Sequence, residues 1–173
     1  METIKGLKRT NYCGELRIED AGKEVTLFGW CQRQRDLGNL IFIDLRDRTG
    51  LVQLSFNDTT DREVFAKAQS VRAEYVVAAV GTVCERESKT NKIATGDIEI
   101  NVKEFRIISK AETPPFEIAK SEKVGDETTL KYRYLNLRNE KLTQNILMRH
   151  KIAKIAREYF YDNDFIEIET PMM

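Results

Sequence analysis

The sequence has no long apolar run, no net charge and almost no histidine, and each gap closes off a class of function. No stretch approaches the ~18 consecutive apolar residues that cross a bilayer, so no membrane span is expected. Met1 to Thr10 contains no apolar signal core, which points to the cytoplasm. Lys plus Arg and Asp plus Glu both number 28, giving a formal net charge of zero. A nucleic-acid partner therefore draws no support from bulk charge and would have to be recognised by local arrangement. The three cysteines, Cys13, Cys31 and Cys84, are widely spaced and form no CxxC pair, so neither a disulfide framework nor a zinc site is expected. His150 is the only histidine, which removes most histidine-based zinc sites and any nucleophile scheme that needs a second imidazole. There is no glycine-rich phosphate loop, paired-carboxylate site or metal cluster, so the expected catalytic and metal-binding sets are both empty.

What is present falls into two zones around Pro114-Pro115, a pair that disfavours both helix and central strand. The expected organisation is a β domain over 1–110, a linker over 111–130, and the beginning of a second domain over 131–173. The first zone alternates with period two and gives five strand candidates: Glu24–Arg33, Asn39–Arg46, Leu51–Phe56, Tyr75–Cys84 and Asp97–Ile108. Asp47-Arg48-Thr49-Gly50 reads as a tight turn. Between the third and fourth strands, Thr60-Asp61-Arg62-Glu63 fits a capping box, and Val64, Ala68 and Val71 follow at helical spacing. Three strands, a helix and two strands is the element order of an OB-fold, a small five-stranded barrel often used for oligonucleotides. In the second zone Leu142, Ile146, Ala153, Ala156 and Phe160 form an apolar stripe on a helix of roughly six turns, with Ile152, Ile155 and Tyr159 beside it. Phe165-Ile166-Glu167-Ile168-Glu169 alternates as a strand would.

Strand parity gives the functional argument, because successive side chains point to opposite faces. Ile41, Ile43 and Leu45 share the core face, so Phe42 and Asp44 stand on the other. Val52, Leu54 and Phe56 face in and Gln53 and Ser55 out; Ile98, Ile100 and Val102 face in and Glu99 and Asn101 out. Three strands thus bring an aromatic ring, an amide and a carboxylate to one outer surface. A ring stacks on a base, an amide pairs with a base edge, and a carboxylate accepts from the amino and imino groups of guanine. Arg33 and Arg35, alternate residues at the end of the first strand, are candidates for phosphate contacts. Parity supports a single-stranded nucleic acid as ligand without naming which one.

Several runs carry a resemblance to a known family. Gly29-Trp30, Arg33-Gln34-Arg35-Asp36-Leu37-Gly38, Leu40 through Asp47 and Gly50-Leu51-Val52-Gln53 closely resemble the barrel of bacterial aspartyl-tRNA synthetases. Ala94-Thr95-Gly96-Asp97-Ile98-Glu99 is similar to the family's last barrel strand, and Leu130 through Arg138 to the segment opening its catalytic domain. Phe165 through Pro171 looks like motif 1 of class II synthetases. The resemblance covers nearly the whole chain and is most specific from Trp30 to Gln53. It implies a barrel that binds the anticodon loop of aspartate tRNA. Phe42 would stack on the middle uracil, Gln53 would hydrogen-bond it, Glu99 would read the first anticodon base, and Arg35 would contact backbone or bases. It also implies a motif 1 dimer interface including Phe165 and Pro171, and a full-length homodimeric enzyme that attaches aspartate to tRNA with ATP and Mg²⁺. Motifs 2 and 3, which hold ATP and aspartate, have no counterpart here, so this stretch is expected to hold no cofactor and to be inactive alone. Asn136 stands where the family has aspartate and Asp164 where it has glycine; aspartate tolerates a left-handed backbone better than most residues. A sister asparaginyl or lysyl synthetase, and a stand-alone OB domain for single strands of any sequence, are the alternatives.

Overall fold

Five segments that alternate between apolar and polar residues become five strands: β1 Glu24–Asp36, β2 Ile41–Arg46, β3 Leu51–Phe56, β4 Val76–Glu85 and β5 Ile98–Ser109. The computed structural model describes residues 2 to 171, divided at Pro114–Pro115 into two units. In the first unit the strands close into a barrel in the order β1-β2-β3-β5-β4. Neighbours are antiparallel except β3 and β5, which pair in parallel over Gln53↔Glu99, Leu54↔Ile100 and Ser55↔Asn101. β1 runs three residues past the expected end at Arg33, reaching Asp36. A register shift between Cys31 and Arg33 lets it do so, because an extra residue bends and twists a strand so that one strand serves two neighbours. β2 begins at Ile41 rather than Asn39.

The inward residues behave as parity requires. Leu27, Ile41, Ile43, Leu45, Val52, Leu54, Phe56, Ile98 and Ile100 are fully buried, and each large aliphatic side chain removed from water contributes about 1.5–3 kcal/mol. Phe56 meets Phe105 edge to face at 5.1 Å between ring centroids. The helix between β3 and β4, α1, spans Arg62–Ser70. Its cap is not the expected Thr60 box: Asp61 accepts from the Glu63 and Val64 amides at 2.8 and 3.3 Å. Thr60 instead accepts from the Asn57 amide at 3.0 Å, a turn bond that competes for the same hydroxyl. At the other end Gln34 donates to the Ala68 and Gln69 carbonyls at 3.0 and 3.2 Å, occupying acceptors that a helix C-terminus leaves open.

The second unit has a small core of Phe116, Ile118 and Leu135, with Val124 and Tyr132 against it. The stretch expected as a linker carries a 3-10 segment over Ile118–Lys123 and a short helix, α2, over Asp126–Lys131. Only the proline pair itself excludes helix, and Asp126 and Glu127 in the first turn suit the positive helix N-terminus. α3 spans Arg133–Asn136 and α4 spans Glu140–Asp162, 23 residues. Asn139 caps α4, accepting from the Lys141 amide at 3.1 Å and donating to Ile118 O at 3.2 Å. Asp164 takes φ +63°, so aspartate does adopt the left-handed turn here. One expectation fails: residues 165 to 169 are not a strand. A strand exists only through ladder bonds to a neighbour, and among the described residues none pairs with this segment. Arg157 reaches it instead, donating Nε to both Glu167 carboxylate oxygens at 3.1 Å.

Candidate nucleic-acid interface

The outer barrel face is organised in two lateral rows set by strand register. One runs Arg33, Asp44, Gln53, Glu99, Cys84; the next runs Arg35, Phe42, Ser55, Asn101, Thr82. The bulge before Arg33 gives both arginines the outward parity. Four of the five residues singled out in the sequence come together. Arg35 Nη2 donates to Asp44 Oδ1 at 2.9 Å and to Gln53 Oε1 at 3.0 Å. Its guanidinium carbon lies 5.5 Å from the centre of the Phe42 ring. Gln53 Nε2 donates to Glu99 Oε2 at 2.8 Å. Arg33 is exposed and is not drawn into this set.

Parity gave the correct side for Gln53 but not its depth. Gln53 is only 3% exposed although it points outward, because Arg35 and Arg86 both lie on its oxygen. Arg86 went unnoticed in the sequence. It sits just beyond β4 among Glu85 and Glu87, a pattern that reads as a solvated charge run, and only the closed barrel returns it to a residue 33 positions away. Asp44 was placed on the outer face without a role. The face therefore combines two guanidiniums, two carboxylates, one amide and one half-buried ring. Such a set brings together a ring for stacking, polar groups for a base edge and guanidiniums for phosphate, the chemistry that binds single-stranded nucleic acid.

Two of the three cysteines, Cys13 and Cys31, are buried in the core. Burial first, and then the Asp44 and Glu74 carboxylates, push the Cys31 thiol up to about 12. Burial likewise raises Cys13, with Asp47 adding to it. Both are neutral core residues. Phe165 and Pro171 are exposed in the second unit, and the Phe165 ring meets Phe160 at 5.5 Å. Among the described residues no group of three or more His, Cys, Asp or Glu side chains could hold a metal, and no helix is long and apolar enough to cross a membrane.

The family models divide the chain where the structure does. An OB-fold nucleic acid binding domain matches residues 25–108, and class II tRNA synthetases (D, K and N) match 125–173. Fold and site thus define an anticodon-type OB barrel joined to the opening of a class II tRNA synthetase domain. Within that class the chain is similar over nearly its whole length to aspartate–tRNA ligases. It is 51% identical to the aspartate–tRNA ligase of Ruminiclostridium cellulolyticum, over 99% of this chain and 29% of the relative. The same figures hold for the aspartate–tRNA(Asp/Asn) ligase of Caldanaerobacter subterraneus subsp. tengcongensis. Among solved structures, an aspartyl-tRNA synthetase from Entamoeba histolytica superposes with a TM-score of 0.87 at 27% identity, covering 96% of this chain and 40% of that one. The chain spans about 29% of the length of the curated relatives it matches.

Proposed function

We propose that the barrel binds the anticodon loop of an aspartate tRNA, and that the whole protein attaches aspartate to that tRNA in the cytoplasm as a homodimer using ATP and Mg²⁺. The observation that carries the reading is the cluster of Phe42, Arg35, Gln53 and Glu99 on one outer barrel face. In this reading Phe42 stacks on the middle uracil, Gln53 pairs with it, and Glu99 accepts from the guanine before it. Arg35 and Arg33 contact the backbone or the bases. The uncovered apolar stripe of α4, with Phe165 and Pro171, belongs to the dimer interface of the whole protein. Among the described residues no group of three or more His, Cys, Asp or Glu side chains could hold a metal ion, and no step through ATP or Mg²⁺ is assigned to these residues.

A titration with an RNA hairpin carrying the aspartate anticodon, beside a copy with only the middle uracil changed, tests the reading at one fixed salt concentration. The changed copy is expected to bind more weakly by about 1–3 kcal/mol, the scale of one stacked and read base. Phe42→Ala should lose a similar amount on the first hairpin. Equal binding to both hairpins would leave only a general single-strand binder.

A further inference from the structure

Arg35 holds its place through one nitrogen. Nη2 has two protons, and both are used, one on Asp44 Oδ1 at 2.9 Å and one on Gln53 Oε1 at 3.0 Å. The same arginine leaves its buried Nε without a partner. A buried donor left unpaired is unfavourable, so this pose persists because other contacts hold it. Among the described residues Asp44 is the carboxylate that pairs with this guanidinium. Gln53 is fixed in turn. Its Oε1 receives Arg35 and Arg86, and its Nε2 donates to Glu99 at 2.8 Å. Two guanidinium donors require the oxygen on their side and a carboxylate requires the N–H on its own, so the amide cannot be turned over without breaking three bonds. What remains for a ligand is the second Nε2 proton.

We propose that Asp44 is a positioning residue for base recognition. By clamping Arg35 Nη2 it keeps the Gln53 oxygen engaged and presents the amide as a donor. A donor pairs with a keto oxygen such as that of uracil and opposes the exocyclic amino group of cytosine, which is itself a donor. Asp44 thereby sets a preference for a keto pyrimidine at the position Gln53 reads, without touching the base. The proposal rests on the anticodon reading above and adds the origin of its discrimination.

The test measures binding of the full chain to two hairpins that differ only in uracil or cytosine at the middle anticodon position. In Asp44→Ala the uracil-over-cytosine ratio is expected to fall by about tenfold, the scale of one lost and one misdirected hydrogen bond. A merely structural role would weaken both hairpins together and leave the ratio intact, which would overturn the proposal. In an Arg35→Ala background Asp44→Ala should change the ratio no further, since it acts through Arg35. A second, additive loss of ratio there would overturn it too. Should Asp44→Ala not fold, Asp44→Asn, of the same shape without the charge, is read in its place with the same direction expected. A wild-type chain with no uracil preference would overturn the anticodon reading and this proposal with it, whereas a wild-type preference unchanged in the variants overturns this proposal alone.

Discussion

The barrel and the unit that follows it use equally regular apolar patterns and reach opposite ends. In the barrel every predicted inward position finds an opposing strand, and side chains such as Leu45, Leu54 and Ile100 are fully buried. On α4 a stripe of comparable regularity contains no buried residue; Ile146 and Phe160 are 48% and 51% exposed. A barrel supplies its own partners because closure turns each strand's core face toward the others. A single amphipathic helix states only that a partner surface is required.

The largest expected effect sharpens that comparison from the barrel side. Phe56 is fully buried and packs edge to face on Phe105. Phe56→Ala should lower unfolding stability by about 3–5 kcal/mol, the range for emptying an aromatic site in a core, read from a urea midpoint. A loss below about 1 kcal/mol, the ordinary mutational average, would mean that the barrel interior is far looser than its burial implies.

Next in size is the bond set that ties the N-terminal segment to the β2–β3 turn. Asp47 accepts from the Cys13 amide at 2.7 Å and from the Thr49 amide and hydroxyl at 2.8 and 2.7 Å. Burial raises the Asp47 carboxyl, but these donors outweigh it and the group titrates below its usual range. Asp47→Ala strands donors and should cost about 1–3 kcal/mol near neutral pH. The sign of the pH effect follows from linkage. A depressed folded-state value means that the stabilisation is complete above the unfolded value of about 3.9 and is lost as pH falls through the folded one. The gap between wild type and variant should therefore be constant from neutral pH to about pH 5 and narrow below about pH 4. A gap independent of pH would assign the loss to packing instead.

How much of this was legible in sequence depended on range. Parity along β2, β3 and β5 is a local property, and it placed Phe42, Gln53 and Glu99 on the correct side before any register was known. Register is not local. That Gln53 lies beside Glu99 follows from a parallel pairing between strands 46 residues apart, and the return of Arg86 onto Gln53 follows from closure of the barrel. Neither leaves a periodic trace, so the ring, amide and acid were found while the second arginine and the role of Asp44 were not. The continuation of β1 past Arg33 was hidden because a bulge breaks the alternation by which strands are read. At residues 165 to 169 the alternation was present, and the pattern failed because alternation records a preference for being a strand, not the existence of a neighbour.

The smallest expected effect bears on the other half of the comparison. Ile155 stands 64% exposed on a helix with no buried residue. Ile155→Asn should then change the barrel's unfolding midpoint by less than about 0.5 kcal/mol, as surface substitutions do. The same substitution should still reduce concentration-dependent self-association in sedimentation, because it puts an amide among the exposed apolar residues that flank the α4 stripe. These two readouts separate a solvated face from a docking face. If association is unchanged while stability is also unchanged, the stripe is a tolerated surface and the dimer assignment loses its support in this unit. If stability falls by several kcal/mol, comparable to a core site, α4 is covered in solution by other parts of the same molecule. The contrast with the barrel would then be one of which partner is used, not of whether one is present.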